Sequence, residues 1–422
     1  MNIDFKDEAH KIKNNLIKIR RQIHQNPELG FCEFETAKLI KTELERIGIE
    51  YTSEIAKTGI FATVHGTSAS NKSDKHFLIR ADMDALPLQE DTTFEFKSQN
   101  DEIFHACGHD THVTSVLGAA EIIQKHRAQF SGKISFVFQP AEEGSKIYDP
   151  TGNISGGALP MIIEAPEIFG SQKNPSFDGI LALHIVSGPE PSSQVGHIGV
   201  SDGKFTGSAD EFLITIKGEG GHASAPHNAV DPIFIASQVY NAIQGFITRK
   251  VDPIEPVVFT IGKIDGGFRQ NIISETCFMT GTLRTLNSEI RDMLKSELPV
   301  LIKSISKSFG GDANIEIYTG YPVGSNDKII NDHIRKVTKS MYGENALFEV
   351  DPVLGAEDFY EFGFKNTIPI SMFWLGGANQ AKGWIGANHS NYFSIDEDAI
   401  PIGTSILAAT AFSFMNSSFK YN

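Results

Sequence analysis

The stretch Ile134-Ser135-Phe136-Val137-Phe138-Gln139-Pro140-Ala141-Glu142-Glu143-Gly144 decides the fold. Ile134–Phe138 is a short, mostly apolar run. Pro140 ends it, because proline cannot donate to a strand ladder. So apolar a strand fits a sheet buried on both faces, as parallel sheets are. The pattern recurs upstream, where Phe77–Ile79 leads into Arg80-Ala81-Asp82-Met83-Asp84, and downstream, where Ile180–Leu183 leads into His184. Helical segments separate the runs. Phe5, Ala9, Ile12, Leu16, Ile19 and Ile23 make one apolar stripe. A second helix is expected from Glu33 to Ile47, stopped by Gly48. Thr111–His126 is a third, with Val113, Val116, Leu117, Ala120 and Ile123 on one face. Alternating strands and helices of this kind predict an α/β fold, a largely parallel sheet covered by helices on both faces.

After about Ser201 the pattern changes. Phe212, Ile214 and Ile216 alternate as in a half-buried strand. Asp231-Pro232 is a helix start, with an N-cap followed by proline at the first helical position. Strands are expected at Val257–Ile264 and Thr276–Arg284, a helix at Glu289–Ser308 and a last strand at Ala313–Tyr318. The order β-α-β-β-α-β is the ferredoxin-like split motif. We therefore expect two domains: a discontinuous one over 1–203 and 320–422, and an insertion over 204–319.

Composition narrows the function. The 422 residues carry 37 Lys and Arg against 52 Asp and Glu, a net charge of −15. That balance excludes nucleic acid and anionic membrane surfaces as natural partners. Three cysteines in a chain this long argue against a disulfide framework and for a reducing compartment, here the cytoplasm. The amino terminus has no apolar signal segment, and no apolar run approaches the ~18 residues a membrane span needs.

Asp82, Asp84, Glu142, Glu143 and His184 all follow buried strands, where ligands bind in open α/β sheets. His105-Ala106-Cys107-Gly108-His109-Asp110-Thr111-His112 adds a thiol and imidazoles. Sulfur, nitrogen and carboxylate oxygen are the donors zinc-type metals favour. Each segment alone also has a plainer reading. Asp110 could cap a helix whose histidines face solvent, and Glu142-Glu143 could be a solvated pair. His184 could be a satisfied core histidine. Gly220-Gly221-His222 could be a tight turn, and Asn388-His389-Ser390 a loop.

Taken in order, the segments resemble the dinuclear-metal amidohydrolase (aminoacylase-like metallopeptidase) family, in the branch of hippurate, N-acyl-amino-acid and auxin-conjugate hydrolases. The resemblance rests on Arg21–Gly30, Arg80–Pro87, His105–Asp110, Gln139–Gly144, Leu183-His184, Gly220–His227, Gly281–Thr285, Gly355–Phe359 and His389-Ser390. It implies a catalytic domain interrupted by a lid, and two divalent ions (Mn, Zn, Co or Ni) held by Cys107, His109, Glu143, His184 and His389. It implies that Cys107 bridges the ions and that Glu142 is the general base. It also implies that His222, Asn271 and Arg284 approach substrate from the lid, with Asp82 and Asp84 orienting the ligands from behind. The activity so implied is hydrolysis of the amide bond of a small N-acyl amino acid, by a homodimer joined through the lid. Other readings are a peptidase of the same family, or a metal-bound binding protein without turnover. Three positions depart from the branch pattern: Thr111-His112 after Asp110, Ile185-Val186-Ser187 after His184, and Ile272-Ile273-Ser274 after Asn271.

Overall fold

The computed structural model describes residues 3–68, 73–144 and 156–417. The extreme ends of the discontinuous domain expected over 1–203 and 320–422 lie outside the described residues. The first half holds α1 (Phe5–Gln25), α2 (Phe34–Ile47), β1 (Glu50–Ile55), β2 (Gly59–His65), β3 (His76–Asp82), α3 (His109–Lys125), β4 (Lys133–Gln139), β5 (Gly179–Val186) and β6 (Ile198–Val200). The middle holds β7 (Ser208–Lys217), α4 (Pro232–Lys250), β8 (Val257–Gly266), β9 (Thr276–Thr285), α5 (Ser288–Ser308) and β10 (Asp312–Tyr318). The last part holds α6 (Lys328–Tyr342), β11 (Leu347–Glu349), β12 (Ile370–Gly376) and α7 (Ala399–Met415).

The central sheet has eight strands in the order β1-β2-β4-β3-β5-β12-β6-β11. Its middle, β4-β3-β5-β12, is parallel throughout. The strands β1 and β2 extend one side antiparallel, and β6 pairs antiparallel with β12 on the other. Side chains alternate between two cores, as the period of a strand requires. Phe77, Ile79, Phe136 and Phe138 face one core, packed with α1, α3 and α7. Leu78, Val137, Ile180 and Ala182 face the other. Asp82, Gln139 and His184 thereby fall at the carboxyl end of the parallel strands.

Helix starts follow local chemistry. Asp231 accepts the Ile233 and Phe234 amides at 2.9 and 3.3 Å and caps α4 as its sequence predicts. Gly48 is left-handed (φ +70°) and ends α2. The helix α3 starts at His109, two residues before the expected Thr111, because left-handed Gly108 (φ +86°) turns the chain there. Asp110 is not its cap: its carboxylate pairs with Arg20 at 2.8 Å and His24 at 2.7 Å.

Residues 208–318 build a separate antiparallel sheet in the order β8-β9-β7-β10, with α4 and α5 against it and a core of its own. The order and connectivity are those of the split motif. After β10 the chain returns to the central sheet: β12 enters between β5 and β6, and α7 packs on α1 and α3. Among the described residues, no helix is long and apolar enough to cross a membrane.

One half-buried group away from the site should make folding pH-dependent. His76, at the start of β3, lies 2.7 Å from Ser135 Oγ. Burial, helped by Lys133, lowers it to about 4 from 6.5. The unfolded chain therefore takes up a proton before the folded one does. Stability is full above pH 6.5 and falls by up to roughly 3 kcal/mol as pH drops to 4. Denaturant unfolding at pH 7 and 4.5 should show a smaller drop for His76→Gln than for the parent; equal drops would exclude this source.

Candidate metal centre

At the carboxyl end of β3, β4 and β5 the polar side chains converge. Cys107 Sγ, on the turn before α3, lies 3.3 Å from His184 Nε2 and 3.3 Å from His389 Nε2. Glu143 Oε1 is 3.1 Å from His389 Nε2. His109 Nε2 is 3.6 Å from Asp82 Oδ2 and 3.9 Å from Glu142 Oε2. Ligand atoms of Cys107, His109 and His184 lie within 4.8 Å of one another, and so do those of Cys107, Glu143 and His389. The two groups share the Cys107 sulfur.

Neighbouring groups fix which atoms point inward. His184 Nδ1 donates to the Ile185 carbonyl at 2.8 Å, which leaves Nε2 as the lone-pair nitrogen facing Cys107. His109 Nδ1 lies 3.2 Å from Asp84 Oδ1 and presents Nε2 in the same way. Asp84 also accepts the Glu142 and Glu143 amides at 3.0 and 2.9 Å. His112 has both nitrogens occupied, Nδ1 against Asp82 Oδ1 at 2.6 Å and Nε2 accepting the Ile185 amide at 2.8 Å. It braces β5 against β3 and does not face the cluster's centre. Asn388 donates to the Cys107 and Ile185 carbonyls at 3.1 and 3.0 Å and so anchors the loop that presents His389.

The donor set fits divalent cations. His109 Nε2 is buried, yet among the described residues it has no hydrogen-bond partner. Buried polar atoms are rarely left so. The charge balance points the same way. Asp82, Asp84, Glu142, Glu357 and Asp358 are all buried. Among the described residues, the Arg80 guanidinium is the arginine that answers them, reaching Asp82 at 2.7 Å, Glu357 at 3.0 Å and Asp358 at 3.1 Å. The surplus negative charge shows in the titrating groups. Burial, with Glu357 and Glu143, pushes Glu142 well above the usual carboxylate range. Burial and Glu143 push the Cys107 thiol well up. Burial would lower His109, but Asp82 and Asp84 hold it at about 10. Cations bound here would relieve all three. Sulfur, imidazole and carboxylate together suit Zn, Co, Ni or Mn.

A cavity of about 850 Å³ opens on the cluster. Cys107, Glu142, Glu143, His184 and His389 line its floor, and Arg284 reaches it from β9. The Arg284 guanidinium donates to the Leu354 carbonyl at 3.1 Å. Val186, Val353, Met372 and Trp374 give the cavity an apolar wall. His222 and Asn271 are not brought to this cavity. They are exposed and line a second one, about 840 Å³, within the 208–318 unit. There His222 Nδ1 lies 2.7 Å from Ser224 Oγ.

Sequence reasoning gave no role to Tyr321 or Asn388. Tyr321 donates its hydroxyl to the Glu142 carbonyl, just where the chain leaves β10. No local pattern marks either residue; only the fold brings them in. Glu357 and Asp358 lie in the Gly355–Phe359 motif, and their part in holding Arg80 appears only in three dimensions.

Comparison with known proteins comes to the same place. Residues 78–413 match the model of peptidase family M20/M25/M40. Thermostable carboxypeptidase 2 of Saccharolobus solfataricus is 38% identical over 98% of each chain. IAA-amino acid hydrolase ILR1-like 4 of Arabidopsis thaliana is 33% identical over 94% of this chain and 84% of its own. N-acetyl-L-cysteine deacetylase of Bacillus subtilis is 35% identical over 92% and 85%. Among solved structures, a dinuclear metal binding peptidase of the M20 family from B. subtilis superposes with a TM-score of 0.78, at 29% identity over 96% and 99% of the two chains.

Proposed function

The chain belongs to peptidase family M20/M25/M40, and from that premise we propose that it hydrolyses the amide bond of N-acyl amino acids in a metal-dependent reaction. The observation that carries the proposal is the Cys107 sulfur shared between two three-residue donor groups, with a further acid, Glu142, outside both but within 4.8 Å of the His109 and Glu143 ligand atoms. Cys107, His109, Glu143, His184 and His389 are read as the ligands of two divalent ions. Such ions supply Lewis acidity toward the amide carbonyl and lower the pKa of water.

The protein's own groups do the rest. Glu142 accepts the proton of the attacking water and later delivers it to the leaving amine. Its buried setting, among other carboxylates, suits an acid that must hold a proton between the two steps. Asp84 keeps His109 and the Glu142-Glu143 backbone in place. Arg284 binds the free carboxylate, for which a planar guanidinium is suited. The apolar wall takes the acyl group. We read residues 204–319 as the lid and 1–203 with 320–422 as the catalytic domain. His222 and Asn271 approach substrate only by lid movement or from a second copy, in keeping with a homodimer joined through the lid. Three free cysteines fit a reducing, cytoplasmic setting.

Carboxypeptidase activity is the second reading, favoured by the relative of that name at 38% identity. One panel separates the two: hippurate and acetyl-, indoleacetyl- and succinyl-amino acids against dipeptides, assayed with Mn, Zn and Co after chelation. Acyl amino acids should turn over faster. Faster turnover of dipeptides would replace the first reading with the second.

A further inference from the structure

The loop 27–33 and the turn that carries Glu142 and Glu143 lock into each other, through residues the reaction above leaves idle. Glu33 sits at the N-cap position of α2 but makes no cap bond. Glu28 does that work, accepting the Glu35 and Thr36 amides at 3.0 and 2.9 Å. Glu33 is thereby free to turn inward, where it is fully buried. Its Oε1 accepts the Ala141 amide at 2.8 Å, and its Oε2 accepts the Thr58 hydroxyl at 2.6 Å.

Ala141 needs such a partner. Its φ is +51°, in the left-handed region that side-chain-bearing residues avoid. Gly30 presses on it from the other side: a Cβ at Gly30 would stand 2.8 Å from Ala141 Cβ. The loop is tied to the next carboxylate as well, since the Glu28 carbonyl accepts the Ala85 amide at 2.8 Å. The Ala141, Glu142 and Glu143 amides are therefore all taken by two buried carboxylates, Glu33 for the first and Asp84 for the other two. Successive amides turned to one side form an anion nest. Here the chain fills the nest itself.

We infer that Glu33 is a positioning residue: with Gly30 and Asp84 it holds the strained Ala141 turn in the backbone conformation that aims Glu142 and Glu143 into the cavity. The inference rests on the functional reading of those two acids. A displacement near 1 Å at reacting groups can cost ~10²-fold in rate.

The test uses the full chain with Glu33→Ala, Glu33→Gln and Gly30→Ala. Glu33→Ala should lower kcat by ~10²-fold with KM little changed. In the metal-free protein it should also speed hydrogen exchange of the 141–143 amides, with exchange elsewhere unaltered. Glu33→Gln should recover most of both, because its amide oxygen can still accept from Ala141 and its NH₂ can donate to Thr58. Gly30→Ala should repeat the Glu33→Ala pattern, and it carries the test if Glu33→Ala does not fold. Unchanged kcat, unchanged 141–143 exchange, or a Gln variant as impaired as the Ala one would each overturn the inference. If the parent hydrolysed no acyl amino acid, the functional reading would fail, and the exchange data would still decide whether Glu33 orders the turn.

Discussion

Replacing Glu142 by Gln should lower kcat by ~10²–10⁴-fold, the range a positioned general base supplies. The amide keeps the shape of the acid but cannot accept the water's proton. Bound metal should stay at the parent level: Glu142 is read as the base, and its carboxylate, though within 4.8 Å of the His109 and Glu143 ligand atoms, is absent from both groups that share Cys107. Thermal stability should stay level or rise. Burial and the Glu357 and Glu143 carboxylates already disfavour charge on Glu142, so a neutral side chain removes repulsion. Kinetics, metal analysis and a melting curve on one preparation check all three. A Gln variant with parental turnover would remove Glu142 from the chemistry. One that had lost its metal would make it a ligand instead.

Cys107→Ala should be the second large effect. The sulfur stands 3.3 Å from both His184 and His389 and belongs to both donor groups, so its loss weakens two ions at once. Bound metal should fall, and turnover with it. The metal-free fold should change little, since burial already keeps the thiol neutral there. Parallel melting curves with and without added metal would separate ligation from packing: the metal-induced rise in Tm should shrink in the variant. Full stoichiometry in Cys107→Ala would mean that the thiol is only structural.

Most of the scaffold was legible in the chain because its signals are local. Apolar runs ended by proline or acid gave the strands of the parallel sheet, and Asp231 and Gly48 marked helix ends by their own hydrogen bonds and φ angles. Where the reading slipped, a longer-range term had won. Gly108 moved the start of α3, and Asp110 went to Arg20 and His24 instead of capping. His112, next to the departure at Thr111, is a brace between β3 and β5. Tyr321, Asn388 and Glu33 act through main-chain groups far away in sequence, which no spacing rule can reveal. His222 and Asn271 lie in a cavity apart from the cluster, so the substrate role proposed for them requires lid movement or assembly.

Metal titration with activity as the readout tests the central claim most directly. The chain is stripped with a chelator, then Mn, Zn or Co is added stepwise while free amino acid released from hippurate or an acetyl-amino acid is measured. The stripped protein should be inactive, and activity should return and level off at two ions per chain. Full turnover by the stripped chain, or metal binding at two ions with no amide hydrolysed, would contradict the account.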